Sequence, residues 1–116
     1  MKIILKGKPL SSNNIYFSSP KKLGLRFMSK KAKDIKNDYQ EQAEEQWQSD
    51  PLDIDIDVKV KLYFGDKRKR DWDNYHKLSM DALTGIVWED DSQIQKAEVE
   101  KFYDKENPRI EITIMI

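Results

Sequence analysis

The sequence predicts an α/β (α+β) layer sandwich, a mixed β-sheet with two main helices in the order β-α-β-α-β-β. Three observations carry this. Residues 53–64 and 109–116 alternate apolar and polar side chains with period two, as strands with one wet face do. Ala32, Ile35, Tyr39, Ala43 and Trp47 recur mostly four apart, which is the stripe of an amphipathic helix. Element by element, Ile3, Ile4 and Leu5 predict a short first strand ended by Gly7 and Pro9. Ser11, Ser12, Asn13 and Asn14 predict a turn-rich loop, and residues 18–27 an exposed basic loop. Ser29 is the expected N-cap of the first helix, which should end near Asp50-Pro51.

The next strand, 53–64, should turn Ile54, Ile56, Val58, Val60, Leu62 and Phe64 to one face. Residues 74–84 predict a three-turn helix that packs through Tyr75, Leu78, Ala82 and Leu83, with Gly85 just past its end. Residues 94–103 predict a strand, and Ile110, Ile112, Ile114 and Ile116 mark the inner face of the last one.

A chain of 116 residues suits one domain with a modest core. Only 38% of it is hydrophobic and 36% is charged, so apolar area is scarce and an obligate oligomer is expected. There is no cysteine, which excludes disulfides and thiolate metal sites, and a single histidine argues against zinc. No segment is apolar enough for a signal peptide or membrane span, so the expectation is a soluble intracellular protein. Net charge is zero but segregated: +9 over residues 1–36, −7 over 37–66, +3 over 67–77 and −5 over 78–116. A basic surface beside an acidic one follows.

The chemistry concentrates in KRKRDWDNYHKLSMDALTGIVWEDDSQ, residues 67–93. In extended chain Asp71 and Asp73 point the same way, so both carboxylates can address one hard cation. A metal-free explanation also exists, with Asp73 as N-cap of the following helix and Asp71 answering the neighbouring arginines. Lys77 lies four residues after Asp73, one turn along that helix, where it either orients a phosphate or forms a surface pair. Asp90 and Asp91 follow beyond the helix, where the returning chain can bring Asp91 to Asp71 and Asp73 or simply make a polar turn. Lys67, Arg68, Lys69 and Arg70 adjoin the acids as candidate holders of DNA phosphates. Asp57-Val58-Lys59 resembles a nuclease element but sits on a uniformly polar strand face, and His76 is expected to be structural or solvated.

Together, Arg70-Asp71-Trp72-Asp73-Asn74, Lys77, Asp81-Ala82-Leu83-Thr84 and Trp88-Glu89-Asp90-Asp91 resemble the RusA family of Holliday junction resolvases. Pro9, Ser12-Asn13-Asn14 and Tyr16 are similar to that family's opening motif. The resemblance spans nearly the whole chain and implies a single RusA-like endonuclease domain over residues 1–116. It implies a homodimer that cuts four-way DNA junctions with Mg²⁺, or Mn²⁺ as an alternative, in the cytoplasm of a bacterium or a phage host. Recombination and repair would be its setting. It assigns catalysis to Asp71, Asp73, Asp91 and Lys77, metal binding to the three aspartates, and DNA binding to Lys67–Arg70. The connection from Thr84 to Trp88 is one residue shorter than the family pattern, so either Asp90 or Asp91 completes the metal site. Trp72 replaces an aliphatic residue and should point away from the metal.

Overall fold

A computed structural model describes residues 1–11, 16–18, 26–72 and 75–116, with the side chains of 16–18 and 26–28 left aside. Its strands are β1 (Lys2–Lys6), β2 (Tyr16–Ser18), β3 (Arg26–Met28), β4 (Ile56–Phe64), β5 (Ile94–Tyr103) and β6 (Arg109–Met115). The helices are α1 (Lys30–Gln46) and α2 (Lys77–Leu83), and a single 3₁₀ turn covers Asp91–Gln93. Four strands form one mixed sheet in the order β1-β6-β4-β5. Only β4 and β5 are parallel; β1 with β6 and β6 with β4 are antiparallel.

Register stacks Ile3 on Ile112, Ile112 on Val60, and Leu5 and Leu62 on Ile110, so their side chains share a face. All are buried. Onto this face α1 contributes Ala32, Tyr39 and Ala43, and α2 contributes Leu78, Ala82 and Leu83. Ser29 caps α1 as expected, its hydroxyl accepting the Ala32 amide at 3.2 Å. The expected order of main elements is the observed one.

Four local expectations are corrected. Ser18, Arg26 and Phe27, expected in a loop, belong to strands β2 and β3, which pair antiparallel, while residues 19–25 of that expected loop lie outside the described residues. Helix α1 stops at Gln46, where Trp47 turns extended and its indole donates to the Asp50 carbonyl. Helix α2 begins at Lys77 because the His76 carbonyl accepts the first helical amide, from Met80, so His76 and not Asp73 is the N-cap. Ile54 and Ile116 are exposed, since β4 starts at Ile56 and β6 ends at Met115.

The edge of β1 is closed by side chains. Gln46 of α1 accepts the Ile4 amide at 2.8 Å and donates to the Ile4 carbonyl at 2.7 Å. Gln42 does the same for Lys6, at 2.7 and 3.2 Å. Two carboxamides therefore occupy backbone groups that would otherwise template another strand. Replacing both (Gln42→Ala, Gln46→Ala) should cost about 1–2 kcal/mol and promote self-association, read by thermal melting and size-exclusion chromatography.

On the sheet's other face Arg109 lies 3.7 Å from the Tyr63 ring centroid and binds Asp104 and Glu111 at 2.8 and 2.7 Å. Lys2 reaches Glu111 as well, at 3.1 Å. Burial pushes the Glu111 carboxyl up, but hydrogen bonds from Arg109 and Lys2 outweigh it and hold it below its usual value. The Arg109 hydrogen bond lowers Asp104 too. Depressed folded values mean that this stabilisation is complete above the unfolded carboxylate range and lost as pH falls through the folded values. Urea midpoints should therefore drop between about pH 5 and 2, with a shallower slope in Arg109→Met.

Candidate metal centre and nucleic-acid interface

Parallel strands cannot be joined by a hairpin. Residues 65–93 must carry the chain from the Phe64/Tyr103 end of the β4–β5 pair back to the Ile56/Ile94 end. Every candidate site residue lies in this crossover.

Its first part is the basic run. Asp66 accepts the Arg68 amide at 3.0 Å and pairs with the Arg70 guanidinium at 2.8 Å. These hydrogen bonds, the backbone one first, hold the Asp66 carboxyl below its usual value. Arg70 is turned inward: its side chain is only 11% exposed and lies 4.4 Å from the Phe64 ring centroid. Tyr75 meets Phe64 edge-on at 5.0 Å and completes this aromatic seat. Lys101 of β5 then donates to the Arg70 carbonyl at 2.5 Å, fixing the run beside the sheet. Lys67, Arg68 and Lys69 stay exposed, with the Lys67 ammonium 5.0 Å from the Tyr103 ring centroid. The run that reads as four equivalent cations is thus three outward cations and one structural arginine.

Asp71 follows, exposed and without a hydrogen bond or ion pair to any described residue. Asp73 and Asn74 lie outside the described residues, as do Ser12, Asn13 and Asn14. Trp72 is 55% exposed and stacks on His76, with centroids 6.3 Å apart. Lys77 is exposed at the first position of α2, so its four-residue offset from Asp73 is not a turn of that helix.

The second part is the acidic turn. Helix α2 ends at Leu83 with Thr84 as its C-cap, and Gly85 takes a φ of +89° that only glycine adopts readily. Trp88 is fully buried, and its indole donates to Thr84 Oγ1 at 3.0 Å and Asp91 Oδ1 at 3.3 Å. The Thr84 hydroxyl stands 2.6 Å from the same Asp91 oxygen. Asp91 Oδ2 has no bond to a described group, so one oxygen is fixed and the other faces outward. Asp90 serves the turn itself, its carboxylate accepting the Ser92 hydroxyl at 2.9 Å. Gln93 accepts the Asp90 amide at 2.7 Å and donates to the carbonyls of Leu52 and Ile54 at 2.7 and 2.9 Å. The turn is thereby tied to a segment some forty residues earlier, a link no local motif announces.

The structure thus joins Asp90 and Asp91 in one rigid turn and sets Lys67–Arg70 beside β5. It brings Asp71 and Asp91 together through no described contact. Lys101, which ties the chain just before Asp71, lies about 23 Å along β5 from Ile94, next to the acidic turn. Among the described residues, no three acidic or histidine side chains are grouped for a metal ion.

A family model described as endodeoxyribonuclease RusA matches residues 6–115. The chain belongs to the RusA family. A crossover junction endodeoxyribonuclease RusA of Enterobacteria phage 82 is 36% identical over 64 residues, 54% of this chain and 53% of that protein. Its RusA counterpart in Escherichia coli strain K12 is 34% identical over 64 residues, with the same coverage. A Bacillus subtilis protein called YqaN is 48% identical over 46 residues, 40% of this chain and 32% of that one. The chain thus spans about half the length of the RusA relatives it matches, and less of YqaN. No described helix is long and apolar enough to cross a membrane.

The Gln93 anchor can be tested without any substrate. Gln93→Ala should destabilise the fold by about 2 kcal/mol and speed hydrogen exchange at the Asp90 amide, with β6 amides following only the global change.

Proposed function

We propose that this chain is a metal-dependent, structure-selective endodeoxyribonuclease that resolves four-way DNA junctions by paired, symmetric phosphodiester hydrolysis. It acts as a homodimer, with residues 1–116 as one domain, in the cytoplasm of a bacterium or phage host during recombination and repair. The observation that carries this reading is the family match across residues 6–115, the stretch that holds both the basic run and the rigid acidic turn.

Asp71, Asp73 and Asp91 are the proposed ligands for Mg²⁺, with Mn²⁺ as an alternative. The donor type suits a hard cation: all are carboxylate oxygens, and those of Asp71 and Asp91 Oδ2 are unengaged among described groups. Because Asp71 and Asp91 are anchored toward opposite ends of β5, sharing one ion requires the chain at Asp71 to move to the acidic turn. Thr84 and Trp88 fix Asp91 Oδ1, which favours Asp91 over the turn-bound Asp90 as the ligand. When bound, such an ion activates water and offsets charge at the scissile phosphate. In this reading Lys77, exposed at the start of α2, meets developing negative charge, and Lys67, Arg68 and Lys69 hold the flanking backbone. Arg70 supports them by packing the run against Phe64. A twofold arrangement of two such sites accounts for paired nicks in opposed strands.

The test is cleavage of a synthetic four-way junction, end-labelled on each strand in turn, with Mg²⁺ and with chelator. Symmetric metal-dependent cuts are expected, falling on the order of 10²-fold or more in Asp73→Asn and Asp91→Asn. Asp71→Asn should also lose cutting while binding the junction more tightly in chelator, because one repelling carboxylate is gone. Undiminished cutting by these variants would sink the metal-site assignment. Equal cutting of flaps and forks would replace junction resolution with a broader branched-DNA activity.

A further inference from the structure

At the sheet end opposite the acidic turn lies a cleft of about 820 Å³ that borders the basic run at Arg68 and Arg70 and is otherwise lined by residues the proposed chemistry does not use. Its cationic lining comes from elements distant in sequence: Lys6 and Lys8 at the end of β1, Lys31 of α1, Arg68 and Arg70, and Lys105 between β5 and β6. Gly7 shapes the rim, because its φ of +119° turns the chain out of β1 while its amide reaches the Pro108 carbonyl at 3.1 Å.

Two acids line the same cleft, and both are engaged. Asp66 is paired with Arg68 and Arg70, and Asp38 accepts the Gln42 amide at 2.8 Å. The four lysines are exposed and form no ion pair with a described residue. Such a concentration of unmatched positive charge costs free energy in the empty protein and is relieved by an anion.

The floor is apolar, with Leu10, Ile35, Phe64 and Tyr75. Tyr39 also lines the cleft, 2% exposed, and its hydroxyl is buried without a hydrogen-bond partner among the described residues. An orphaned buried hydroxyl is rare in a folded protein. Burial first, and then the Asp38 charge, pushes this phenol up to about 12, so it remains a donor.

We propose that this cleft is a second DNA-contact site, holding the phosphodiester backbone of a strand on Lys8, Lys31 and Lys105 with the Tyr39 hydroxyl as a further donor. A rim of cations over an apolar and aromatic floor suits a nucleic-acid strand better than a small inorganic anion, because sugar and base need the floor. The inference rests on reading DNA as the substrate and adds a hold on it away from the acidic turn.

The experiment is fluorescence anisotropy of a labelled four-way junction in chelator across a salt series. Lys31→Gln/Lys105→Gln is compared with Lys33→Gln/Lys36→Gln, which removes the same charge from residues of α1 outside the cleft lining. Two lost phosphate contacts should lower the slope of log affinity against log salt by about 1.8 in the cleft variant and by much less in the control. Equal slopes in the two variants would overturn the proposal. Tyr39→Phe should leave the melting temperature of the free protein unchanged or raised while weakening binding several-fold, and unchanged binding would remove the hydroxyl from the site.

Titration with deoxyadenosine monophosphate separates a strand from a free nucleotide. Chemical-shift changes at Lys31 and Lys105 with DNA slopes unaffected would assign the cleft to nucleotides and overturn the strand reading. Cleavage with Mg²⁺ on the same preparations separates this proposal from the nuclease one. Binding through the cleft without cutting would sink only the nuclease, and cutting with unchanged slopes would sink only the cleft.

Discussion

The parallel pairing of β4 with β5 is the constraint on which the rest depends. Both strands run from the Ile56/Ile94 end to the Phe64/Tyr103 end, so residues 65–93 must retrace a strand's length before β5 can start. Helix α2 covers part of that return and buries Leu78, Ala82 and Leu83 on the way. Trp88 then closes the core, and the acidic turn emerges where β5 begins. The basic run and the acidic turn are consequently anchored toward different ends of the sheet, although they are close in sequence.

The anchors are unlike in kind, and each suits the role proposed for it. Arg70 is held by charge and aromatic faces, while Lys67, Arg68 and Lys69 stay exposed. The acidic turn is held by directional hydrogen bonds from Thr84, Trp88 and Gln93, which fix the position of a carboxylate oxygen. A metal ligand needs that fixed geometry, while a phosphate contact needs mainly charge.

A net charge of zero conceals an uneven use of charge. On the wet sheet face Lys2, Glu111, Arg109 and Asp104 neutralise one another at short range. Around the cleft and along the basic run, lysines form no ion pair with a described residue.

What the sequence determined by itself is what local periodicity and local chemistry can encode. Alternation in 56–64 and 110–114 identified the inner faces of β4 and β6, Ser29 marked the start of α1, and Gly85 marked the stop after α2. The family signature was equally legible, because it is carried by residue types at short spacing. The pairing of β2 with β3 was missed because three-residue strands are too short to show a period. The starts and stops at Ile54, His76 and Ile116 were misjudged because an apolar residue at the right spacing does not reveal where hydrogen bonding begins. Tertiary structure alone decided that Arg70 faces inward, that Gln42 and Gln46 close the β1 edge, that Gln93 staples the acidic turn to Leu52, and that lysines from separate elements share one cleft. Each of these joins groups whose partners lie elsewhere in the chain or on another element, and no pattern within a short window records which distant partner the sheet will supply.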